Sequence, residues 1–255
     1  MTLSLDWLPA TAFTYIILFV RIGAILMLMP ALGEQTIPAR MRLGFALAFT
    51  LVVFPLLSNI MPAMPEDLGG MAGLMFHELA VGLIIGAIVR ITVMATQVAG
   101  AIVAFQVGLS GALASDPTQA GVQSAIFASF LSFLGVTLIF ATDLHHMALA
   151  AVYDSYMVFS PTDPLMFEDA MQMAVRTVAG AFAVGVQMSA PFIVFGLVFN
   201  LGAGILAKLM PQLQVYFVLM PANIIVGILL FAVLLMMMMG WYLTAFESHL
   251  AMWRG

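Results

Sequence analysis

Six long apolar stretches, separated by short segments rich in proline, glycine and charge, dominate the sequence. Each stretch reaches the roughly 20 residues that a helix needs to cross a bilayer. None alternates polar and apolar residues as a membrane-barrel strand does, and backbone in lipid must satisfy its own hydrogen bonds. The pattern predicts an all-α, polytopic membrane protein of about six long, partly broken apolar helices. The stretches are Trp7–Leu32, Leu43–Met61, Met71–Val107, Val122–Ala151, Ala170–Leu206 and Leu213–Phe246.

The third and fifth stretches are too long for one simple crossing. Each has 37 residues, which is about 55 Å of helix against a hydrocarbon core of about 30 Å. Tilt alone explains such an excess poorly. We expect these helices to bend, to form hairpins or to enter surroundings covered by protein. The expected break points are Gly100, Pro191, Gly202 and Gly204.

Composition supports a membrane or a large assembly as the surroundings of the chain. Hydrophobic residues make up 64% of the sequence and charged residues 7%, against about a quarter charged in soluble domains. The net charge of −5 is spread thinly, so we expect contact with membrane lipid and no nucleic-acid partner. The absence of cysteine excludes disulfides, thiol nucleophiles and cysteine-bound metals from this chain.

Four charged residues lie inside the apolar stretches: Arg21, Glu78, Arg90 and Arg176. An unpaired charge in a membrane costs at least about 2.5 kcal/mol, so these side chains should face protein or water. They could form an ion or proton pathway, or they could pair between helices or subunits, which we favour. Glu78 and Arg90 are twelve residues apart, too far for direct pairing along one helix.

No group of residues predicts catalysis, a metal site or a cofactor. Neighbouring histidines on a helix point about 100° apart, a poor geometry for one metal ion. There is no zinc-protease helix, nucleophile elbow or phosphate-binding loop. We therefore expect a protein that is not an enzyme, and a polar helix end where metal-ligand types cluster: Asp143, His145, His146 and Asp154.

The segment Gly108–Gly121 combines small residues, hydroxyl groups and Asp116-Pro117 between two apolar stretches. Irregular backbone near membrane depth is tolerated where protein buries it or where it lines a water-filled space. The segment could be a pore loop or plug, or equally an ordinary aqueous loop.

Methionine and glycine patterns concern packing. The 22 methionines include Met236–Met239, and thioether chains suit either a deformable seal or the filling of helix interfaces. The spacings of Gly82 and Gly86, and of the small residues from Gly196 through Gly204, allow close helix contact and indicate tight association.

Taken in order, the sequence motifs resemble the FliR family, the flagellar type III export-gate membrane subunit related to the SctT proteins of injectisomes. The resemblance covers almost the whole chain, and its strength lies in the order and spacing of individually weak motifs. They are Arg21, Pro30, Ile37-Pro38, Arg42-Leu43, Pro55, Glu78, Gly82, Gly86, Ala99-Gly100, Gly108-Leu-Ser, Asp116-Pro117, His145-His146, Pro191, Asn200, Gly204, Pro211-Gln212 and Pro221.

The resemblance implies one FliR-like membrane domain over residues 1–255, packed with FliP and FliQ copies and FlhB into a helical export gate. This gate would lie in the bacterial inner membrane at the flagellar basal body and pass unfolded flagellar proteins. Residues 1–125 would be the FliP-like part, and residues 126–255 would include a FliQ-like hairpin turning near Lys208, Pro211 and Gln212. The implied plug loop contains Gly108, Leu109, Ser110, Gly111, Asp116 and Pro117, and the four charges within the apolar stretches would pair with other subunits.

A secondary transporter of a small solute or ion is the alternative. Broken helices would then hold a site near the middle of the membrane, with Glu78 or Arg90 as the coupling residue. Such transporters are built from two matched halves, and the sequence shows no convincing repeat.

Overall fold

The computed structural model describes residues 8–34, 37–109, 120–163, 167–211 and 215–251. Seven α-helices, and no strand, occur in these ranges. The prediction of an all-α fold is therefore confirmed. The helices are α1 (Leu8–Leu28), α2 (Ala39–Leu57), α3 (Leu68–Gln106), α4 (Ala120–Ala141), α5 (Leu144–Val158), α6 (Phe167–Leu209) and α7 (Val215–Ala251).

The fourth apolar stretch forms two helices instead of one. Between α4 and α5, Asp143 has a φ of 59°, in the left-handed region that aspartate tolerates better than most residues. Five helices are long and apolar enough to cross a membrane, or six spans if the pair α4 and α5 counts as one. The predicted number of about six spans is therefore confirmed.

The expected breaks within the longest helices were wrong. Helix α3 runs for 39 residues through Gly100, and α6 runs for 43 residues through Pro191, Gly202 and Gly204. An unbroken helix satisfies its backbone hydrogen bonds internally, which an apolar environment favours. Continuous backbone hydrogen bonding therefore outweighs here the local tendency of glycine and proline to end a helix.

The chain forms two compact units. Unit 1 contains residues 1–91, 142–177 and 248–255, and unit 2 contains residues 92–141 and 178–247. Helices α3, α6 and α7 contribute residues to both units. Each unit also combines residues from both sides of position 125, and the likeness of the two halves to FliP and FliQ stays a prediction.

In unit 1, α1 packs against α2 and α3. A Cβ atom at Gly82 would lie 2.7 Å from the Arg21 carbonyl oxygen, and one at Gly86 would lie 2.8 Å from Leu28 Cβ. Any larger residue at these positions would push α1 away. The predicted close contact at Gly82 and Gly86 is confirmed. A Cβ at Gly202 or Gly204 would have no atom of the described residues within 4 Å, so a close contact there stays a prediction.

In unit 2, glycines and aromatic rings bring four helices together. Gly100 of α3 abuts the Ala128 backbone of α4, and a Cβ at Gly185 of α6 would lie 2.8 Å from Val98. The Phe231 ring of α7 meets Phe127 edge-on, with centroids 4.9 Å apart. Such edge contacts add specificity to apolar burial.

Candidate functional site

A buried ion pair lies in unit 1. Arg21 of α1 donates from Nη2 to Glu78 Oε1 of α3 at 2.7 Å, and both side chains are 0% exposed. The glycine notch at Gly82, one turn after Glu78, lets α1 approach closely enough for this contact. Pairing between helices is thus the arrangement that the geometry shows for Arg21 and Glu78. Their contact with another subunit stays a prediction.

Arg21 also holds the end of α5. Its Nη1 donates to the Ser155 carbonyl at 3.1 Å and to the Phe159 carbonyl at 2.9 Å. The last carbonyls of a helix carry its partial negative charge, and the Ser155 carbonyl accepts from Arg21 in addition to the backbone N–H of Phe159. The guanidinium carbon lies 4.1 Å from the centre of the Tyr156 ring, a cation–π contact. Arg21 therefore ties α1, α3 and α5 together.

The charges of Arg21 and Glu78 neutralise each other only while both side chains are present. The guanidinium is always protonated, and it neutralises a carboxylate whose side chain is fully buried. Within the described residues, Arg21 Nε and Glu78 Oε2 are buried without a hydrogen-bond partner. Removal of Glu78 would leave the Arg21 charge buried and unpaired, and removal of Arg21 would leave Glu78 with the His77 ring alone, whose Nδ1 lies 3.3 Å from Glu78 Oε1; both changes are costly. The cluster is thus suited to fixing three helices in one arrangement.

Arg90 forms the second ion pair of unit 1. Its Nη1 donates to Glu34 Oε1 at 2.8 Å, and both side chains are partly exposed. Glu34 follows a tight turn in which Ala31 has a φ of 67° and a Cβ at Gly33 would lie 2.9 Å from the Met29 carbonyl oxygen. The pair thus fastens this turn to α3. Sequence reasoning missed Glu34.

Arg176 differs from these two arginines. It is exposed on α6, and the described part of the chain offers it no carboxylate within ion-pair distance. Its predicted role in pairing with another subunit stays a prediction.

The predicted plug segment begins at a firmly packed helix end. Gly108 has a φ of +81°, and a Cβ there would lie 2.7 Å from Asn223 Nδ2 of α7. That amide also donates to the Gln106 carbonyl at 3.5 Å, and a Cβ at Gly227 would lie 2.6 Å from the Val107 side chain. The end of α3 is therefore seated on α7.

Of the predicted plug residues, Gly108 and Leu109 are described, and the others lie outside the described residues: Ser110, Gly111, Asp116 and Pro117. Sequence reasoning missed Asn223 and Gly227. The available signal was a polar amide, followed one turn later by a glycine, within a long apolar helix.

The predicted turn between the last two helices coincides with a helix boundary. Lys208 lies exposed in the last turn of α6, which ends at Leu209, and Pro211 follows it. Gln212 lies outside the described residues, and α7 begins at Val215.

The histidine pair is arranged differently from the expectation. The His145 and His146 rings lie 4.0 Å apart between centroids instead of diverging. Ligand atoms of these residues and Asp143 fall within 4.8 Å of one another. His146 Nδ1 and Asp143 Oδ1 are 3.6 Å apart on largely exposed side chains, and Asp154 is not part of this group. The expectation that no metal binds here stays a prediction.

Long apolar helices and a buried ion pair between two of them define a polytopic helical membrane protein. The pattern of the family described as bacterial export proteins, family 1, matches residues 12–249. The chain belongs to this family of bacterial export proteins, and its resemblance to FliR proteins is confirmed.

Individual relatives extend over nearly the full chain. It is 45% identical over 226 residues to the flagellar biosynthetic protein FliR of Caulobacter vibrioides, which covers 88% of this chain and 90% of the relative. It is 30% identical over 236 residues to the protein of the same name from Bacillus subtilis, which covers 91% and 88%. It is 24% identical over 237 residues to the Yop proteins translocation protein T of Yersinia pestis, which covers 92% and 90%.

Proposed function

We propose that this protein is a subunit of a flagellar type III export gate in the bacterial inner membrane. There it forms and closes the channel through which unfolded flagellar proteins pass, together with FliP, FliQ and FlhB. Membership of the bacterial export family supports the export role. Flagellar cargo is favoured because the relatives of higher identity carry flagellar names, whereas the translocation protein relative is 24% identical.

The exposed apolar surface of α6 within unit 2 carries the proposal that other subunits cover this chain. From Val178 to Leu209 this helix rises about 47 Å, and even at a 40° tilt it would exceed a hydrocarbon core of about 30 Å. Lipid tails cannot cover apolar side chains along that whole length, so protein must cover the rest. The exposed large apolar residues are Val178, Phe182, Ile193, Val194, Leu197, Val198, Leu201, Ile205, Leu206 and Leu209.

The fixed position of Gly108 supports the proposal that the segment after it closes the channel. Because Asn223 and Gly227 seat the end of α3 on α7, the chain leaves a fixed point instead of a frayed helix end. A plug attached at such a point would close the same place each time. The methionines of α7 are compatible with both a deformable seal and the filling of helix interfaces. Met236 is 87% exposed, whereas Met238 is 0% exposed.

The alternative of a secondary transporter lacks a comparable observation. Its candidate coupling residues, Glu78 and Arg90, are both engaged in ion pairs in unit 1.

The gate proposal is tested by mild extraction of the protein from its native membrane, followed by native mass spectrometry. We expect a particle far heavier than the 27.4 kDa of this chain, containing several small membrane subunits. A lone chain that is stable by itself and that moves a small solute into liposomes would overturn the proposal in favour of a transporter.

Closure is tested separately by deletion of residues 109–119, which leaves Gly108 and α4 in place. We expect membranes that contain the assembled complex to leak ions. Gly73→Ala, at an open position of α3, is the control in which the segment is intact. Unchanged conductance in a complex of normal composition would reject the plug.

A further inference from the structure

A group of three side chains of metal-ligand type lies at the bend between α4 and α5. The two helices are bent by 78° across a short break. Asp143 lies in that break, and His145 and His146 lie in the first turn of α5. One donor atom from each of the three side chains falls within 4.8 Å of the other two. Two imidazoles and a carboxylate are therefore gathered at one point of the fold.

The spacing of Asp143 and His146 explains why these two side chains face each other. Residues three positions apart lie on the same face of a helix. His146 Nδ1 and Asp143 Oδ1 are 3.6 Å apart, which is too long for a hydrogen bond but close to the separation of about 3.3 Å between two ligand atoms of a tetrahedral zinc ion. A carboxylate and a histidine at this spacing bind metal together in di-iron helical bundles.

The Asp143 carboxylate does not take the usual role of an aspartate before a helix. Such an aspartate ordinarily accepts a hydrogen bond from a backbone N–H of the first turn. Asp143 makes no such bond to α5, and its φ of 59° lies in the left-handed region. Its carboxylate thus lies beside the histidines instead of capping the helix.

The ring contact between His145 and His146 removes the objection raised by their adjacency. That objection was that neighbouring histidines on a helix diverge. Here the ring centroids are 4.0 Å apart and the ring planes are inclined by 36°. Rings that lie side by side can each turn one nitrogen toward the same ion. His146 and Asp143 are largely exposed, so the small rotations that complete the geometry meet little resistance from packing.

The donor set determines which cations fit. Two imidazoles with one carboxylate suit zinc and other first-row transition metals. Magnesium and calcium prefer oxygen ligands throughout, and this group offers one carboxylate. Three protein ligands leave a coordination position for water or for a further ligand. The exposure of Asp143 and His146 gives an ion access from the solvent.

We infer that Asp143, His145 and His146 bind one divalent transition-metal ion, which fixes the bend before α5. This inference opposes the expectation drawn from the sequence that no metal binds here, and the experiment below decides between them. It does not depend on the proposed export function, because all three ligands belong to this chain.

The site is tested by titration of the full-length protein with Zn²⁺ after removal of bound metal, in mild detergent and together with the subunits that accompany it. Isothermal titration calorimetry measures the affinity. We expect one Zn²⁺ per copy of this chain, retained in an excess of Mg²⁺. X-ray absorption at the zinc edge should show two imidazole ligands, and Zn²⁺ should raise the unfolding temperature.

Three variants identify the ligands. His145→Gln and His146→Gln should each weaken Zn²⁺ binding at least about 10–100-fold, since even the loss of an outer-shell partner has an effect of that size. Asp143→Asn should weaken it as well, and asparagine tolerates the left-handed backbone, so this variant keeps the bend. His249→Gln is the matched control, because this histidine of α7 lies outside the group. It should bind Zn²⁺ as the wild-type protein does.

Other outcomes overturn the inference. They are the absence of Zn²⁺ binding, its displacement by Mg²⁺, and equal affinity of the wild-type protein and all three ligand variants, which would place the ion elsewhere in the complex. An equal loss in His249→Gln and His146→Gln would show unspecific binding to histidine. If a histidine variant changes the helix content measured by circular dichroism, Asp143→Asn decides: unchanged affinity in that variant rejects the site.

Discussion

The helices within unit 1 and the helices within unit 2 are joined by different kinds of contact. In unit 1 a buried arginine joins three helices through a carboxylate, two carbonyls and an aromatic ring. In unit 2 the buried hydroxyls of Thr96 and Ser189 bond to carbonyls of their own helices, the Thr96 hydroxyl also bonds to that of Ser132 on α4, and glycine contacts bring the helices together. Directional charges thus define unit 1, and complementary shape defines most of unit 2.

This difference teaches which damage each unit tolerates. The stability that close packing provides decreases gradually as atoms are added or removed. The stability that a buried ion pair provides is lost in one step when either partner is removed, because a buried charge then remains. The following predictions test this contrast.

The largest effect is expected from Arg21→Leu. It leaves the Glu78 carboxylate buried without its cation, with only the His77 ring nearby, and removes the contact with the end of α5, which should cost about 3–5 kcal/mol. Thermal unfolding of the detergent-extracted protein measures the change. The double variant Arg21→Leu with Glu78→Leu should recover part of the loss. Equal stability of the single variant and the wild-type protein would contradict the charge-based account of unit 1.

The next effect is expected from Gly100→Val in unit 2. The added side chain would meet the Ala128 backbone, which cannot rotate away, and overpacking of this kind costs about 1–3 kcal/mol. The same unfolding measurement applies. The matched control is Gly202→Val on α6, since no atom lies within 4 Å of a Cβ built there. If both variants are destabilised alike, close packing is not the reason for Gly100.

A smaller effect is expected from Gly108→Ala. The φ of +81° costs a side-chain-bearing residue about 1–2 kcal/mol, and the added methyl would press on Asn223. Hydrogen exchange of the backbone amides at residues 103–107 should become faster as the end of α3 loosens. Gly73→Ala, at an open position of the same helix, should leave these amides unchanged. Equal protection in both variants would show that the glycine does not hold this helix end.

The smallest effect is expected from Arg90→Gln. Because the Arg90–Glu34 pair is partly exposed, its loss should cost at most about 1 kcal/mol. A double-mutant cycle with Glu34→Gln measures the pair itself. A coupling energy as large as that of Arg21 and Glu78 would remove the distinction between buried and exposed charges in unit 1.

The sequence by itself determined the class and family of this protein. Apolar stretches of at least 19 residues predicted the helices because lipid allows few other spanning structures, and the order of short motifs predicted the export family. The sequence also predicted the close contact at Gly82 and Gly86, since this spacing places two glycines on one face of a helix.

Only the tertiary structure decided which partners the charges take. Arg21 meets Glu78 across 57 positions, and Arg90 meets Glu34 across 56, distances over which no helical periodicity extends. The roles of Asn223 and Gly227 likewise depend on where α7 crosses the end of α3. Sequence patterns report local geometry and burial, whereas these contacts exist only after distant helices have packed.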